Sequence, residues 1–258
     1  MLYNIYFSAK GTTKKCAEFI AKKVAAETNS VNLLEVKEAK ALELQSDDVL
    51  LLAMPVYGGY IPKICVENIR RLKGNNTPVI LVAIYGNRHF DNALLQMQDL
   101  VEANGFKAIA AGAFVAEHSI FPSVAHGRPH DKDYEDMACF AQKCKEILRD
   151  NESWAMLKLD LPGAKDYDSS SFKGIPFHPD ADTTCTSCQK CVQLCPVQAI
   201  AAANPKVTDG EKCINCGACI AVCSVKARDY HGIMYKTAKA GFELKCMKPM
   251  GAFTYYLH

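Results

Sequence analysis

Eight of the chain's 13 cysteines lie between residues 185 and 223, in two copies of one spacing. Cys185, Cys188, Cys191 and Cys195 read C-x2-C-x2-C-x3-C, with Pro196 next. Cys213, Cys216, Cys219 and Cys223 repeat the run 28 residues later. This is an internal duplication. It constrains the local fold tightly: three cysteines two residues apart share one loop, and the fourth opens a helix that leads away.

The spacing suits a four-iron cubane. Three thiolates of one loop cover three corners, and the last cysteine of the other run takes the fourth. Cys185, Cys188, Cys191 and Cys223 are therefore assigned to one [4Fe–4S] cluster. Cys213, Cys216, Cys219 and Cys195 are assigned to a second. Structural zinc is the rival, but its usual pattern is two separated C-x2-C pairs. Two four-cysteine runs, one followed by proline, favour clusters. With no secretory leader at Met1, ligands are also favoured over disulfides. Cys16, Cys65, Cys139, Cys144 and Cys246 have no ligand spacing and read as structural. Residues 183–230 resemble bacterial two-cluster ferredoxins. Ser224 stands where a second proline would be, which keeps ligation and loosens the backbone around Cys223.

The length of 258 residues and a 49% apolar share suit two domains. Residues 1–151 alternate short apolar runs with helical patterns. Strands are predicted over 3–7, 31–36, 49–54, 79–85 and 108–116, and helices over 13–28, 62–73, 89–104 and 133–150. Runs apolar throughout suit strands covered on both faces. The expected fold class is α/β, a doubly wound five-stranded parallel sheet, followed by a small α+β two-cluster domain. Residues 152–182, rich in Gly, Pro and Ser, read as a linker. The second domain is placed at 183–258, with a tail over 232–258 that carries no readable motif.

Three loops follow buried strands, where doubly wound sheets bind ligands. The first is Ser8-Ala9-Lys10-Gly11-Thr12-Thr13, hydroxyls and a glycine ahead of a helix, suited to phosphate. The second is Pro55-Val56-Tyr57-Gly58-Gly59, whose glycines admit a flat ring and whose tyrosine can stack on one. The third is Tyr85-Gly86-Asn87-Arg88, where backbone and Asn87 can bond the polar edge of a flavin. Together they resemble flavodoxin-like FMN domains, whose first loop reads S/T-x-T-G-x-T. Ser8, Gly11 and Thr13 match. Lys10 replaces the middle threonine and can pair with the phosphate directly. The resemblance places 55–59 and 85–88 around the isoalloxazine ring. Glu117-His118-Ser119 faces the same edge, with His118 either against the flavin or packed.

Residues 183–258 carry nine Lys and Arg against four Asp and Glu, leaving 21 against 24 elsewhere. The lysines either offset polyanionic clusters or are ordinary surface lysines. Net charge is +2, which gives no reason to expect nucleic acid or membrane partners. A cytoplasmic location is expected. The whole chain resembles the flavodoxin–ferredoxin fusion proteins of anaerobic bacteria and archaea. That resemblance implies FMN, two [4Fe–4S] clusters and redox partner proteins, with a homodimer left open. It implies an electron carrier. The alternative is a flavin-dependent oxidoreductase reducing a small molecule such as a quinone or nitro compound. Gly-x-Gly-x-x-Gly is absent, so direct use of a nicotinamide cofactor has no support in the sequence.

Overall fold

The structure, a computed structural model, describes residues 1–36, 42–150, 154, 157–164 and 174–258. Five parallel strands form the main sheet: β1 (Leu2–Tyr6), β2 (Thr28–Asn32), β4 (Val49–Pro55), β6 (Thr77–Tyr85) and β7 (Phe106–Val115). Four of them match the predicted spans closely, whereas β2 begins three residues earlier than the predicted 31–36 and shares only Val31 and Asn32 with it. A short parallel pair, β3 (Leu42–Leu44) and β5 (Leu72–Gly74), lies apart from them.

All nine residues of β6 are buried, as befits a central strand covered on both faces. The period of two divides β4 between two cores. Leu50, Leu52 and Met54 pack with α2 (Lys63–Ile69) and α3 (Ala93–Glu102). Leu51 and Ala53 pack with α1 (Thr12–Val24) and α4 (Asp131–Arg149). The helices thus cover both faces, and the strand ends carrying the three candidate loops meet at one edge.

The sheet has a sixth strand that the sequence reading does not contain. β10 (Phe253–Tyr256) runs antiparallel to β7, with Phe253 opposite Ala113 and Tyr256 opposite Ala110. The sheet order is β10-β7-β6-β4-β1-β2. β7 presents small residues here, and β10 supplies the bulk. Phe253 and Tyr255 join the core with Phe90, while Tyr256 reaches Phe140 on the other face. The unreadable tail therefore completes the first domain's sheet.

The small domain is closed by β8 (Pro179–Ala181) paired antiparallel with β9 (Arg228–Tyr230). β8 falls inside the predicted linker, because three residues flanked by polar chain give no strand pattern. Between them lie two short helices, α5 (Lys190–Leu194) and α6 (Ala218–Ala221). α7 (Gly232–Lys245) then returns to the first domain. Its Tyr235 hydroxyl donates to the Ile120 carbonyl at 3.1 Å, and Phe242 packs on Phe121 and His118. From the rest of the predicted linker, Leu159 is buried and its carbonyl accepts from Gln98. Residues 151–153, 155–156 and 165–173 lie outside the described residues. Among the described residues no helix is long and apolar enough to cross a membrane.

Candidate functional site

The first loop turns through Gly11, whose φ of 90° suits glycine, and α1 begins at Thr12. The loop is held from within. Ser8 N–H donates to Asn32 Oδ1 at 3.1 Å, and Lys14 N–H donates to Ser8 Oγ at 3.0 Å. Ser8 Oγ thus caps one N–H of the first turn of α1, and Gly11 has no side chain to cap the others. The positive end of the helix therefore faces a cavity of about 190 Å³ with Ser8, Thr12 and Thr13 in its wall. Lys10 shares that wall, and its Nζ donates to the Ser119 carbonyl at 3.1 Å. A cation, hydroxyls and a helix N-terminus fit a phosphate group.

Pro55, Val56 and Tyr57 form another wall, and Tyr85 and Gly86 a third. Gly86 is required by a close approach: a Cβ there would lie 2.5 Å from the His118 ring. His118 also lines the cavity, and its Nδ1 accepts from the N–H groups of Ile120 and Phe121 at 3.2 and 3.1 Å. Burial, reinforced by Lys10 and Arg88, lowers its pKa to about 4. The ring is neutral at pH 7, so Nε2 carries the proton and can donate.

Five residues expected at the cofactor, Gly11 at its phosphate and four at its ring, are not in the cavity wall. Gly11 shapes the helix start. Gly58 and Gly59 make a tight turn behind the wall, closed by paired bonds between Tyr57 and Tyr60. Arg88 pairs with Asp91. Asn87 turns away from the cavity altogether: Nδ2 donates to the carbonyls of Cys246 and Lys248, and Oδ1 accepts from Met250 N–H. A segment some 160 positions along the chain captured this amide.

The duplicated cysteine runs repeat in the backbone. Ser187 and Asn215 take φ of 56° and 54°, Gln189 and Gly217 take 64° and 77°, and Gln198 and Lys226 take 52° and 53°. Each pair is 28 positions apart, and each left-handed residue turns the chain where a loop must curl around its thiols. The backbone after Cys223 makes the same turn as that after Cys195, with Lys226 N–H donating to the Cys223 carbonyl as Gln198 does to Cys195. The missing proline at Ser224 has not loosened it.

Cys185, Cys188, Cys191 and Cys223 line one hollow. Cys213, Cys216 and Cys219 each lie within electrostatic reach of Cys195. In each group the fourth cysteine thus comes from the opposite run. Among the described residues no three His, Cys, Asp or Glu side chains meet around a single-ion position. Burial pushes the Cys216 and Cys219 thiols up to about 12. A bound metal would supply the charge that offsets this burial and lets them ionise.

Family models match a flavodoxin domain over residues 4–115 and a 4Fe–4S dicluster domain over residues 179–224. The chain joins a flavodoxin domain to a 4Fe–4S dicluster domain. The first implies FMN and the second iron–sulfur clusters, so this is a flavin and iron–sulfur redox protein. Among solved structures, a flavodoxin of Streptococcus pneumonia TIGR4 is 19% identical, covering 55% of this chain and 96% of its own, with a TM-score of 0.40. A flavodoxin from the domain Archaea is 13% identical over 57% of this chain and 98% of its own, with a TM-score of 0.39. An NADH:FMN oxidoreductase in its apo form is 16% identical over 59% and 92%, with a TM-score of 0.42. No curated protein matches.

Three wall residues lie outside the loops read from the sequence: Ile84 and Ala116, at strand ends beside those loops, and Cys216. Cys216, a cluster cysteine, lines the same cavity as Ser8, Tyr57 and Gly86. It is 8% exposed and belongs to the core beside Cys65 and Ile61. Next to it, a Cβ on Gly217 would lie 3.0 Å from the Lys10 side chain. No local pattern announces this contact.

Proposed function

We propose that the protein is an electron carrier in which FMN exchanges electrons with two [4Fe–4S] clusters inside one chain. The observation that carries the reading is Cys216 in the wall of the cavity with the flavin loops. FMN supplies one- and two-electron chemistry. The chain's own residues would hold it: Ser8, Lys10, Thr12 and Thr13 at the phosphate, with Pro55 to Tyr57 and Tyr85 to Gly86 along the ring. His118 offers a neutral donor there and adds no positive charge.

The cysteine set including Cys216 then stands proximal to the flavin, and the set including Cys185 and Cys188 distal. The exposure of Cys188 supports the distal set as the point of exchange with a redox partner. A tether of this kind makes the encounter intramolecular and independent of protein concentration.

Three measurements on anaerobically purified protein test this. Flavin, iron and acid-labile sulfide should be close to one, eight and eight per chain. After rapid partial reduction, redistribution between flavin and cluster absorbance should have a rate unchanged by dilution. Turnover with quinones or nitro compounds should be slow beside it. A rate proportional to protein concentration would overturn the intramolecular reading. Fast small-molecule turnover would favour the oxidoreductase.

A further inference from the structure

Arg228 is a buried cation with no carboxylate to balance it. The residue opens β9 and is 2% exposed. One terminal nitrogen donates to the Pro179 carbonyl at 2.8 Å and to Thr208 Oγ1 at 2.6 Å, and the other donates to the Pro205 carbonyl. All three acceptors are neutral. Among the described residues no carboxylate forms an ion pair with it. Asp180, on the adjoining strand, accepts from Thr208 N–H and pairs with His178.

Burying a guanidinium without an anion is costly, because carbonyl dipoles replace only part of its hydration. A neutral side chain could tie β8 and β9 to the 205–208 loop at less cost. The surroundings supply the anions. Arg228 lines the hollow of Cys185, Cys188, Cys191 and Cys223. On its other side β9, the strand that Arg228 opens, packs against α6, which carries Cys219 of the second set. One buried cation therefore lines the hollow of one set of thiols and sits on the strand packed against the other.

We propose that Arg228 is the shared counter-charge of the two clusters and sets their reduction potentials. A cubane with four thiolates is anionic, and taking up one electron makes it more negative by one charge. The guanidinium favours that reduced form at both sites and raises both potentials. It also weakens the repulsion between two reduced clusters. Arg228 touches neither donor nor acceptor, so it is a positioning residue acting through charge.

The proposal rests on the cluster reading, and the two can fail separately. Iron and sulfide analysis of the wild-type protein tests the clusters; potentiometric titration with dithionite, read by cluster absorbance and EPR, tests Arg228. In Arg228→Gln, which keeps a donor and removes the charge, the reduced-to-oxidised ratio of both clusters at a fixed potential should fall at least tenfold, a 59 mV shift for one electron. Arg228→Lys should stay close to wild type, and the flavin potential should not move. Equal shifts in both variants, or none in Arg228→Gln, would overturn the proposal. Where Arg228→Gln does not retain clusters, iron uptake by the refolded apoproteins decides. Uptake by Arg228→Lys alone supports a charge requirement, and failure of both overturns it.

Discussion

Asn87 and Met250 bind each other across two domains, the Met250 N–H donating to Asn87 Oδ1 at 2.8 Å. The same amide donates to Cys246 and Lys248, so it fixes the chain between α7 and β10. Nearby, the Tyr85 hydroxyl donates to the Gly251 carbonyl at 2.6 Å. The C-terminal segment is a strap, holding the dicluster domain against the loops around the flavin cavity.

Asn87→Ala would leave these partners without bonds. The expected loss is about 1–3 kcal/mol. Thermal unfolding should begin earlier, and limited proteolysis should cut within 246–252 first. Protection equal to wild type in that segment would show that β10 alone holds the strap.

Arg128 and Asp133 form a second anchor. Both are nearly buried, Arg128 Nε donates to Asp133 Oδ2 at 2.9 Å, and another Arg128 nitrogen donates to the Met250 carbonyl. Arg128→Met strands the carboxylate and should cost roughly 3–5 kcal/mol. Burial opposes ionisation of Asp133, yet the bonds from Arg128 and from His130 N–H leave its pKa below the ordinary 3.8. A depressed pKa stabilises the fold above the unfolded value, and the effect is lost as pH falls through the folded value. Urea midpoints should therefore hold to about pH 4 and decline below it. In Asp133→Asn the baseline should be lower and the decline shallower.

Gly86→Ala places a methyl against the His118 ring at the cavity wall. FMN affinity should fall by about tenfold, near 1.4 kcal/mol, with the fold intact. Fluorescence titration of the apoprotein measures it. Adding His118→Ala should recover part of the loss; a wholly additive pair would mean the ring is not what the methyl meets.

Lys10→Gln removes a charged donor from the phosphate end. FMN binding should weaken by about 1.5–3 kcal/mol and become less sensitive to salt. Riboflavin, which lacks the phosphate, should bind both proteins alike. An equal loss for riboflavin would place Lys10 in packing against Gly217 rather than on the phosphate.

Four of the five parallel strands were legible because buried strands are written as continuous apolar runs, as in Val49–Pro55 and Thr77–Tyr85, whereas the polar, half-exposed β2 was placed too late in the chain. The matching turns of the two cysteine runs were legible because a duplicated spacing dictates local turns. Asn87 was misplaced for the opposite reason. An amide after a strand bonds whichever partner folding brings to it, and that partner was the tail. β10 escaped notice because Phe253–Tyr256 is four residues long and gains its meaning only against the open edge of β7.

By itself, then, the sequence determined whatever depends on neighbours in the chain: the cysteine loops, the helix start behind Gly11, and the alternation of strand and helix. The tertiary structure alone decided that Cys216 enters the wall of the cavity between the three loops, that Arg228 lines the hollow of Cys185, Cys188, Cys191 and Cys223, and that the C-terminus closes the first domain's sheet. Each joins residues far apart in the chain. Such contacts form because two surfaces exclude water together, and no window of sequence contains both surfaces.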